Sequence, residues 1–377
     1  MERRGERVTD RALVIESPGV AAVRPVPPTD GPVLIETMYS GISTGTELSF
    51  LTGTNPALSS GFDPELGLFR TDLPGTGYPV TRLGYMEVGR VVDTDGATTG
   101  LTSGELVAMT YGHRTGYRTD PLRDRIVALP RDLDPVLGIY AAHMGPICAN
   151  GLLHAAAEAC GTDVRTLGDG VSGRRVAIVG GGVVGLLTGL FARRHGAESV
   201  VLLDPTPGRR AAAEELGLDA LDPDATDPAV VLKSRWRHAP ADRGADVVFQ
   251  CRGRTAALAM ALRLLRPQGI VIDLAFYTDD GSALRLGAEF HHNGLGIRSA
   301  QIGRVPRGTA HSWDRERLSG ETLRLLLDEG PRLRRHVITD FVPLDEAPAF
   351  LADLAARRRH TIQAVITPSG NGDERAR

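Results

Sequence analysis

The sequence predicts an α/β protein with two domains, a doubly wound parallel sheet and a β-rich domain. Three observations support this prediction: a strand, a glycine turn and a helix follow one another between 175 and 204, strands and helices alternate from there to about 300, and short strands separated by glycine and proline turns fill the chain before about 130. At 377 residues the chain exceeds the length that one core ordinarily serves, so two domains are expected.

The N-terminal part of the chain is expected to be β-rich. Short apolar runs bounded by turn residues predict strands at 12–15, 33–38, 87–92, 106–110 and 125–129. No helix signal is found between 11 and 47, and residues 52–80, rich in Gly, Pro, Ser and Thr, are expected to form an irregular lobe. This density of turns and short strands is typical of a small β-barrel.

From about 134 onward the apolar residues recur at helical spacing. A helix is expected over 137–159, interrupted at Gly145-Pro146, and it bridges the two domains. Helices and strands then alternate beyond the glycine turn, at 209–216, 245–250, 255–265, 269–275 and 294–301. The remaining chain predicts helices at 318–329 and 344–358 and a strand at 361–367.

The segment that ends at Asp204 matches a dinucleotide-binding fingerprint. A strand at 176–179 is followed by Gly180, Gly182 and Gly185, and a second strand ends at Asp204, nineteen positions after the last glycine. The first glycine allows a tight bend, the second admits a pyrophosphate close to the backbone, and the third lets helix and strand pack closely. Because the helix N-terminus favours phosphates and Asp204 accepts hydrogen bonds from ribose hydroxyls, the segment predicts a Rossmann domain that binds NAD.

Further candidate cofactor residues lie around this turn and after later strands, because ligands of open α/β sheets bind at the carboxyl ends of strands. The complete candidate set is Gly180, Gly182, Val183, Val184, Gly185, Asp204, Arg209, Cys251 and Gly253. Arg209 keeps NADP open as an alternative cofactor, since a guanidinium partly offsets the repulsion between Asp204 and a 2′-phosphate.

Bulk properties exclude several classes of protein. The formal net charge of -3 argues against a nucleic-acid or membrane surface, and no apolar stretch approaches the length of a membrane span. The three cysteines are too few and too scattered for a disulfide framework or a metal cluster, and the N-terminus has no apolar leader segment. A cytoplasmic protein that acts on a small molecule is expected, with no nucleic-acid or membrane partner.

Two N-terminal motifs resemble the medium-chain dehydrogenase/reductase superfamily. SGISTGTE ends at Glu47 and LGYMEVGRVV contains Glu87, where zinc alcohol dehydrogenases of this family read GxCGTD and GHExxG. The resemblance implies a GroES-like catalytic domain at 1–150, a Rossmann NAD(P)-binding domain at 151–300, and a return to the catalytic domain at 301–377. It also implies a homo-oligomer, either a dimer or a tetramer.

Both motifs depart from the zinc-binding pattern. Ser43 or Thr44 stands at the position of the family's cysteine ligand, Met86 at that of its histidine, and Gly145 at that of the third ligand. A hydroxyl and a thioether hold zinc weakly, so we expect no catalytic metal, and with no cysteine before Cys148 we expect no structural zinc either. The motif SGISTGTE is similar to that of the zinc-free branch, which includes bacteriochlorophyllide hydroxyethyl dehydrogenases and actinobacterial secondary-metabolite enzymes.

Without a metal, side chains must stabilise the developing oxyanion and exchange its proton. The candidate catalytic residues are His113, Thr46, Thr44, Ser43, Glu87 and His143. His113 leads because an imidazole titrates near neutral pH, with a backbone-bonded loop histidine as the alternative. Thr46 matches the proton-relaying hydroxyl of GxCGTD or caps a turn, and Glu87 resembles the family's acid beside the ligands. Tyr85 is expected to pack, with the lining of a substrate pocket as the alternative.

The resulting hypothesis is a zinc-independent, NAD(P)-dependent oxidoreductase that transfers a hydride between nicotinamide and a secondary alcohol or ketone. The polar candidate residues favour a sugar, a cyclitol or another polar secondary metabolite as the substrate. Two alternatives stay open: a zinc-free quinone or enoyl reductase, and a dinucleotide-binding protein with little turnover.

Overall fold

The computed structural model describes residues 10–96 and 100–368. These residues form two compact units: one contains the described chain up to Ala142 and from Thr339 onward, and the other spans His143–Ile338. Within the described ranges, no helix is both long and apolar enough to cross a membrane.

The N-terminal part of the first unit consists of short strands with one helix. Its strands and helix are β1 (Arg11–Ser17), β2 (Val20–Pro25), β3 (Val33–Gly41), α1 (Thr44–Leu51), β4 (Gly61–Asp63), β5 (Leu68–Arg70), β6 (Glu87–Asp93), β7 (Leu106–Met109), β8 (Gly116–Thr119) and β9 (Val127–Ala128). Two 3₁₀ helices, Pro56–Leu58 and Pro135–Tyr140, join these elements.

The second unit alternates helices and strands, and the chain then returns to the first unit. The second unit contains α2 (Met144–Cys160), β10 (Arg175–Val179), α3 (Val183–Arg194), β11 (Ser199–Leu203), α4 (Pro207–Glu215), β12 (Asp219–Leu221), α5 (Pro228–Arg235), β13 (Arg237–Ala239), β14 (Asp242–Arg243), β15 (Ala245–Gln250), α6 (Thr255–Leu264), β16 (Leu265–Asp273), α7 (Glu289–His292), β17 (Gly296–Ser299) and α8 (Arg315–His336). The last elements are β18 (Ile338–Pro343), α9 (Ala347–Ala355) and β19 (Gln363–Thr367).

The second unit is built on a parallel sheet. Its strand order, among the described residues, is β12-β11-β10-β15-β16-β17, and every neighbouring pair is parallel. The interior of β10 and β11 is an uninterrupted apolar run with buried side chains, as a sheet covered on both faces requires. The strand order reverses between β10 and β15, which is where doubly wound sheets bind their ligands. The predicted Rossmann fold is confirmed.

The first unit is built on a second sheet. Its strand order, among the described residues, is β18-β19-β3-β6-β7-β9, and β8 also pairs with β3. Leu13 and Ile15 of β1 are fully buried and belong to one core with Phe350 and Leu351 of α9. The expected β-rich domain is therefore confirmed, and both ends of the chain contribute to its core.

Helix α1 lies where no helix was expected. Its first turn contains Gly45 between two threonines, and these residues have low helix propensity. Tertiary contacts outweigh that propensity, because Leu51 is buried in the core and the Glu47 carboxylate lies 3.0 Å from His113 Nε2. The adjoining segment, expected to be irregular, forms the β4–β5 hairpin.

The two compact units differ from the expected domain limits at the C-terminal side. Residues 301–338 belong with the parallel-sheet unit, although the sequence suggested that 301–377 returns as a whole to the first domain. The reason is that α8 packs along α2, so closely that a Cβ added to Gly145 would lie 2.1 Å from the Thr322 side chain. The interruption expected at Gly145-Pro146 takes the form of a helix start: the preceding residues form the 3₁₀ helix Pro135–Tyr140 and a turn, and α2 begins at Met144 with Pro146 in its first turn.

Candidate functional site

The glycine turn between β10 and α3 provides a concave backbone surface. Gly180 has φ of +107°, a conformation that favours glycine, and Gly182 precedes the helix, which begins at Val183. A Cβ added to Gly185 would lie 1.8 Å from the Gly180 carbonyl oxygen, so the helix and the turn are in contact there. Because Gly182 offers no capping side chain, the N–H groups of the first turn at Val183 and Val184 can bind an anion.

Asp204 lies directly after β11 and beside this turn. Its side chain is 1% exposed, and its carboxylate accepts hydrogen bonds from the backbone N–H groups of Gly181 and Thr206, each over 2.8 Å. The Arg209 guanidinium approaches one carboxylate oxygen to 3.6 Å. The Arg210 guanidinium pairs with Asp222 at 2.9 Å and donates to the backbone carbonyl of Asp204 over 2.9 Å. The carboxylate is thus fixed to the glycine turn, with one arginine beside it.

The other two cofactor candidates follow β15. The backbone N–H of Cys251 donates to the Val179 carbonyl over 2.8 Å, which ties this loop to the glycine turn. Burial raises the pKa of the Cys251 thiol well above its ordinary value, so the thiol stays protonated. Gly253 has no room for a side chain, because a Cβ there would lie 2.3 Å from the Phe276 carbonyl oxygen.

Four polar side chains of the first unit form a buried chain of hydrogen bonds, the Glu–His–Ser–Glu chain. The Nε2 atom of His113 lies 3.0 Å from Glu47 Oε2, and its Nδ1 atom lies 2.6 Å from Ser40 Oγ. Ser40 Oγ in turn donates to Glu87 Oε1 over 3.0 Å. Each of these four residues is at most 1% exposed. Strand β3, helix α1 and the first residue of β6 therefore converge on the histidine that follows β7.

The charges in the Glu–His–Ser–Glu chain favour the protonated form of His113. Burial acts to lower the pKa of His113, but the charge and hydrogen bond of Glu47 and the charge of Glu87 together raise it. Burial raises the pKa of Glu87, and the charge of His113 with the hydrogen bonds from backbone N–H groups and from Ser40 offsets part of that rise. An imidazolium donates from both nitrogens, so Ser40 can accept from His113 and donate to Glu87.

The position of His113 differs from that of a general acid or base in contact with a substrate. Its ring is 1% exposed, both ring nitrogens have oxygen partners, and a Cβ added to Gly84 would lie 2.7 Å from it. The same enclosure rules out an acyl-transfer role for Ser40, even though it forms a Ser–His–Glu arrangement, since no substrate carbonyl can reach its hydroxyl. The Glu–His–Ser–Glu chain can instead hold strand β3, helix α1 and strand β6 in place.

Three hydroxyl groups lie next to the Glu–His–Ser–Glu chain and form a second group, the hydroxyl cluster. Ser43 Oγ forms a short hydrogen bond with the Tyr85 hydroxyl, and Thr46 Oγ1 lies 3.4 Å from the same phenol oxygen. Ser43 is buried, whereas Thr46 and Tyr85 are half-buried. Burial raises the pKa of Tyr85, so the phenol keeps its proton at neutral pH. Thr44, half-buried, begins α1 beside this cluster.

Tyr85 is the residue that the sequence reasoning missed, because it was assigned to packing. The signal that identifies it is the spacing from Gly89: in GHExxG the second glycine follows the first by five positions, and Gly84 and Gly89 have that spacing. Tyr85, and not Met86, then stands at the histidine position. The structure agrees with this alignment, since Tyr85 faces Ser43 while Met86 is fully buried against Gly41.

The residues at the family's three ligand positions do not fit a catalytic zinc. Ser43 and Tyr85 provide hydroxyl oxygens that are bonded to each other, and Gly145 has its side-chain space filled by Thr322. Glu87 accepts from Ser40 and from two backbone N–H groups, those of Met86 and Tyr111. Across residues 10–96 and 100–368, no cluster of three or more His, Cys, Asp or Glu side chains could hold a metal ion.

The remaining histidine candidates lie in the second unit. His143 precedes α2, and its Nδ1 atom accepts a hydrogen bond from Arg315 over 2.8 Å. His291 and His292 are exposed and lie on the short helix α7.

The sequence is similar to those of known dehydrogenases. A family model described as zinc-binding dehydrogenase matches residues 183–314. D-guloside 3-dehydrogenase of Escherichia coli is 27% identical over 84% of this chain and 88% of its own length. The 2-desacetyl-2-hydroxyethyl bacteriochlorophyllide A dehydrogenase of Rhodobacter capsulatus is 29% identical over 76% of this chain and 82% of its own length.

A solved structure shows the same fold. A Sinorhizobium meliloti protein described as a zinc-binding dehydrogenase, solved with NADP, superposes with a TM-score of 0.70 at 23% identity over 96% of this chain and 100% of its own. Fold and glycine turn define a two-domain dehydrogenase of the Rossmann type. The family match and these relatives confirm the resemblance to the medium-chain dehydrogenase/reductase superfamily noted in the motifs of this chain.

Proposed function

We propose that this protein transfers a hydride between a nicotinamide dinucleotide and the carbinol or carbonyl carbon of a polar small molecule, without a catalytic zinc. The glycine turn is the main observation in support: an uncapped helix N-terminus follows a glycine bend, with a buried aspartate fixed beside it. The relative bound to NADP supports the cofactor class, and the relative that acts on a guloside supports a polyhydroxylated substrate.

Zinc independence is supported by the donor groups at the ligand positions. A hydroxyl of serine bonded to a phenol, and a glycine without side-chain space, offer no tight zinc ligand. Hydroxyl groups must then stabilise the alkoxide that forms or disappears during hydride transfer. The Glu–His–Ser–Glu chain holds the backbone that carries these hydroxyls, because Glu47 accepts a hydrogen bond from the backbone N–H of Ser43.

The test is a turnover assay that follows the nicotinamide absorbance of purified protein with NAD and with NADP. We expect reversible oxidation of polyols or sugar derivatives, with activity retained after chelation and no stoichiometric zinc by elemental analysis. Turnover of enones alone would favour a reductase of conjugated carbonyls instead. Tight dinucleotide binding with no turnover on any substrate would contradict the proposal, as would activity that disappears with removal of zinc.

Asp204 is proposed to select NAD over NADP, with Arg209 as the group that tolerates a 2′-phosphate. Replacing Asp204 by alanine should shift the ratio of kcat/KM for NADP to that for NAD upward by about tenfold or more, because it removes a negative charge that repels a 2′-phosphate and ends the 3.6 Å contact that this charge makes with Arg209. Asp219→Ala, which changes an exposed aspartate on the neighbouring strand β12, is the matched control. An unchanged ratio in Asp204→Ala would mean that other residues determine the choice between NAD and NADP.

Three further expectations stay predictions: the catalytic role of the first unit, a cytoplasmic location, and assembly into a dimer or tetramer. Sedimentation of the purified protein measures the last of these directly.

A further inference from the structure

When a hydride reduces a carbonyl group, the carbonyl oxygen also needs a proton. This requirement limits which polar groups of the first unit could be the proton donor. The donor must reach a substrate oxygen and must have a proton to give. His113 and Glu87 fail the first condition, since each is at most 1% exposed and bonded to protein partners on every side described above. The hydroxyl cluster remains.

Within the hydroxyl cluster, the phenol of Tyr85 is the acidic member. Alkyl hydroxyls such as those of Ser43 and Thr46 are much weaker acids than a phenol, whose ordinary pKa is about 10. The Tyr85 oxygen lies between both of them, bonded to Ser43 Oγ and 3.4 Å from Thr46 Oγ1. Those two hydroxyls can stabilise a phenolate and pass a proton to it. Tyr85 is half-buried, whereas His113 and Glu87 are at most 1% exposed.

We propose that Tyr85 is the catalytic acid and base of this protein, and that Ser43 and Thr46 position its phenol and relay its proton. This inference rests on the proposed hydride transfer. In the reducing direction a bound NAD(P)H would supply the hydride to the carbonyl carbon, and the C=O bond would become a C–O single bond. The Tyr85 O–H bond breaks and gives its proton to the oxygen. The phenolate regains a proton from water through the neighbouring hydroxyls, and the oxidation runs through the reverse steps.

The location of Tyr85 gives the proposal a physical reason. Its phenol and the Ser43 hydroxyl stand at positions where zinc dehydrogenases of the superfamily place ligands. A metal there would polarise the substrate oxygen, and a hydrogen-bonded phenol can do the same by donating a proton. Glu47 fixes the turn that contains Ser43, since its Oε1 accepts the Ser43 backbone N–H and its Oε2 binds His113. The phenol is therefore held by a rigid backbone.

The test compares Tyr85→Phe with Tyr117→Phe, which removes the hydroxyl of another half-buried tyrosine in the same unit, stacked on Tyr111 at 4.7 Å between ring centroids. We expect Tyr85→Phe to lower kcat at least 100-fold, as loss of a general acid does, with the dinucleotide Kd unchanged. Tyr117→Phe should keep wild-type kcat. Full turnover in Tyr85→Phe would overturn the assignment.

Ser43→Ala tests the role of Tyr85 even if Tyr85→Phe does not fold. This variant leaves the phenol in place and removes the hydrogen bond that orients it. We expect kcat to fall about tenfold with the dinucleotide Kd and the melting temperature unchanged. Wild-type kcat in Ser43→Ala would contradict a hydroxyl relay. Failure of the hydride-transfer proposal itself looks different, since wild-type protein would then bind dinucleotide without turning over any alcohol or carbonyl.

Discussion

Replacing Gly185 by alanine should weaken the binding of NAD and NADP at least 100-fold, or about 3 kcal/mol. The reason is steric: the new Cβ would meet the Gly180 carbonyl oxygen at 1.8 Å, and both atoms belong to rigid backbone at the junction of β10 and α3. The helix must then move away from the turn, which removes the N–H groups of its first turn from the proposed phosphate position. Calorimetric titration with each dinucleotide measures the loss.

Two other glycines make this experiment specific. Gly208→Ala changes a glycine of α4 with nothing within 4 Å of the new Cβ, so both fold and affinity should match wild type. A Cβ at Gly182 also meets no protein atom within 4 Å, so Gly182→Ala should keep the fold and report how closely a pyrophosphate approaches the backbone. Wild-type affinity in Gly185→Ala would remove the glycine turn from the proposed cofactor site.

His113→Ala should lower the free energy of unfolding of the protein by about 3–5 kcal/mol. The substitution leaves Glu47 and Glu87 buried at no more than 1% exposure without the cation that lies between them, and it opens a cavity under Gly84. Urea denaturation of the variant beside His291→Ala, which removes an exposed histidine, measures the difference. A loss below 1 kcal/mol would mean that the buried carboxylates are neutral without help from the histidine.

The same histidine predicts the sign of a pH effect. The pKa of His113 is raised in the folded protein by Glu47 and Glu87, so its contribution to stability is complete below the unfolded value of about 6.5 and is lost as the pH rises through the folded value. The raised pKa of Glu87 acts in the same direction at lower pH. Wild-type protein should therefore lose stability with rising pH above about 6.5, and His113→Ala should lose less over that interval.

The parallel-sheet unit was predictable because glycines and apolar runs determine its geometry locally. The strand at Ala245–Gln250 was expected at those residues, and the glycine turn follows from spacing alone. Helix α1 was not predictable, because Thr44, Gly45 and Thr46 favour other conformations, and the burial of Leu51 and the contact between Glu47 and His113 stabilise the helix. Local sequence contains no record of such contacts.

The candidate site was predictable in its residue types and not in their roles. Ser43, Thr46 and Glu87 are indicated by two motifs and His113 by the titration range of an imidazole, and the structure brings all four into two adjoining groups. Exposure reverses the expected order of the candidates, since an imidazole suited to proton transfer is enclosed while a tyrosine expected to pack is only half-buried. Burial of a side chain depends on elements far apart in the chain, so a motif does not reveal it.

The contact between Gly145 and Thr322 also restricts which residues position 145 can hold. Substituting cysteine for Ser43 and histidine for Tyr85 would supply two metal donors, but a third donor at position 145 would collide with the threonine on the neighbouring helix. An engineered metal-binding variant would therefore need a smaller residue at position 322 before position 145 could hold a ligand. The two positions are constrained to change together.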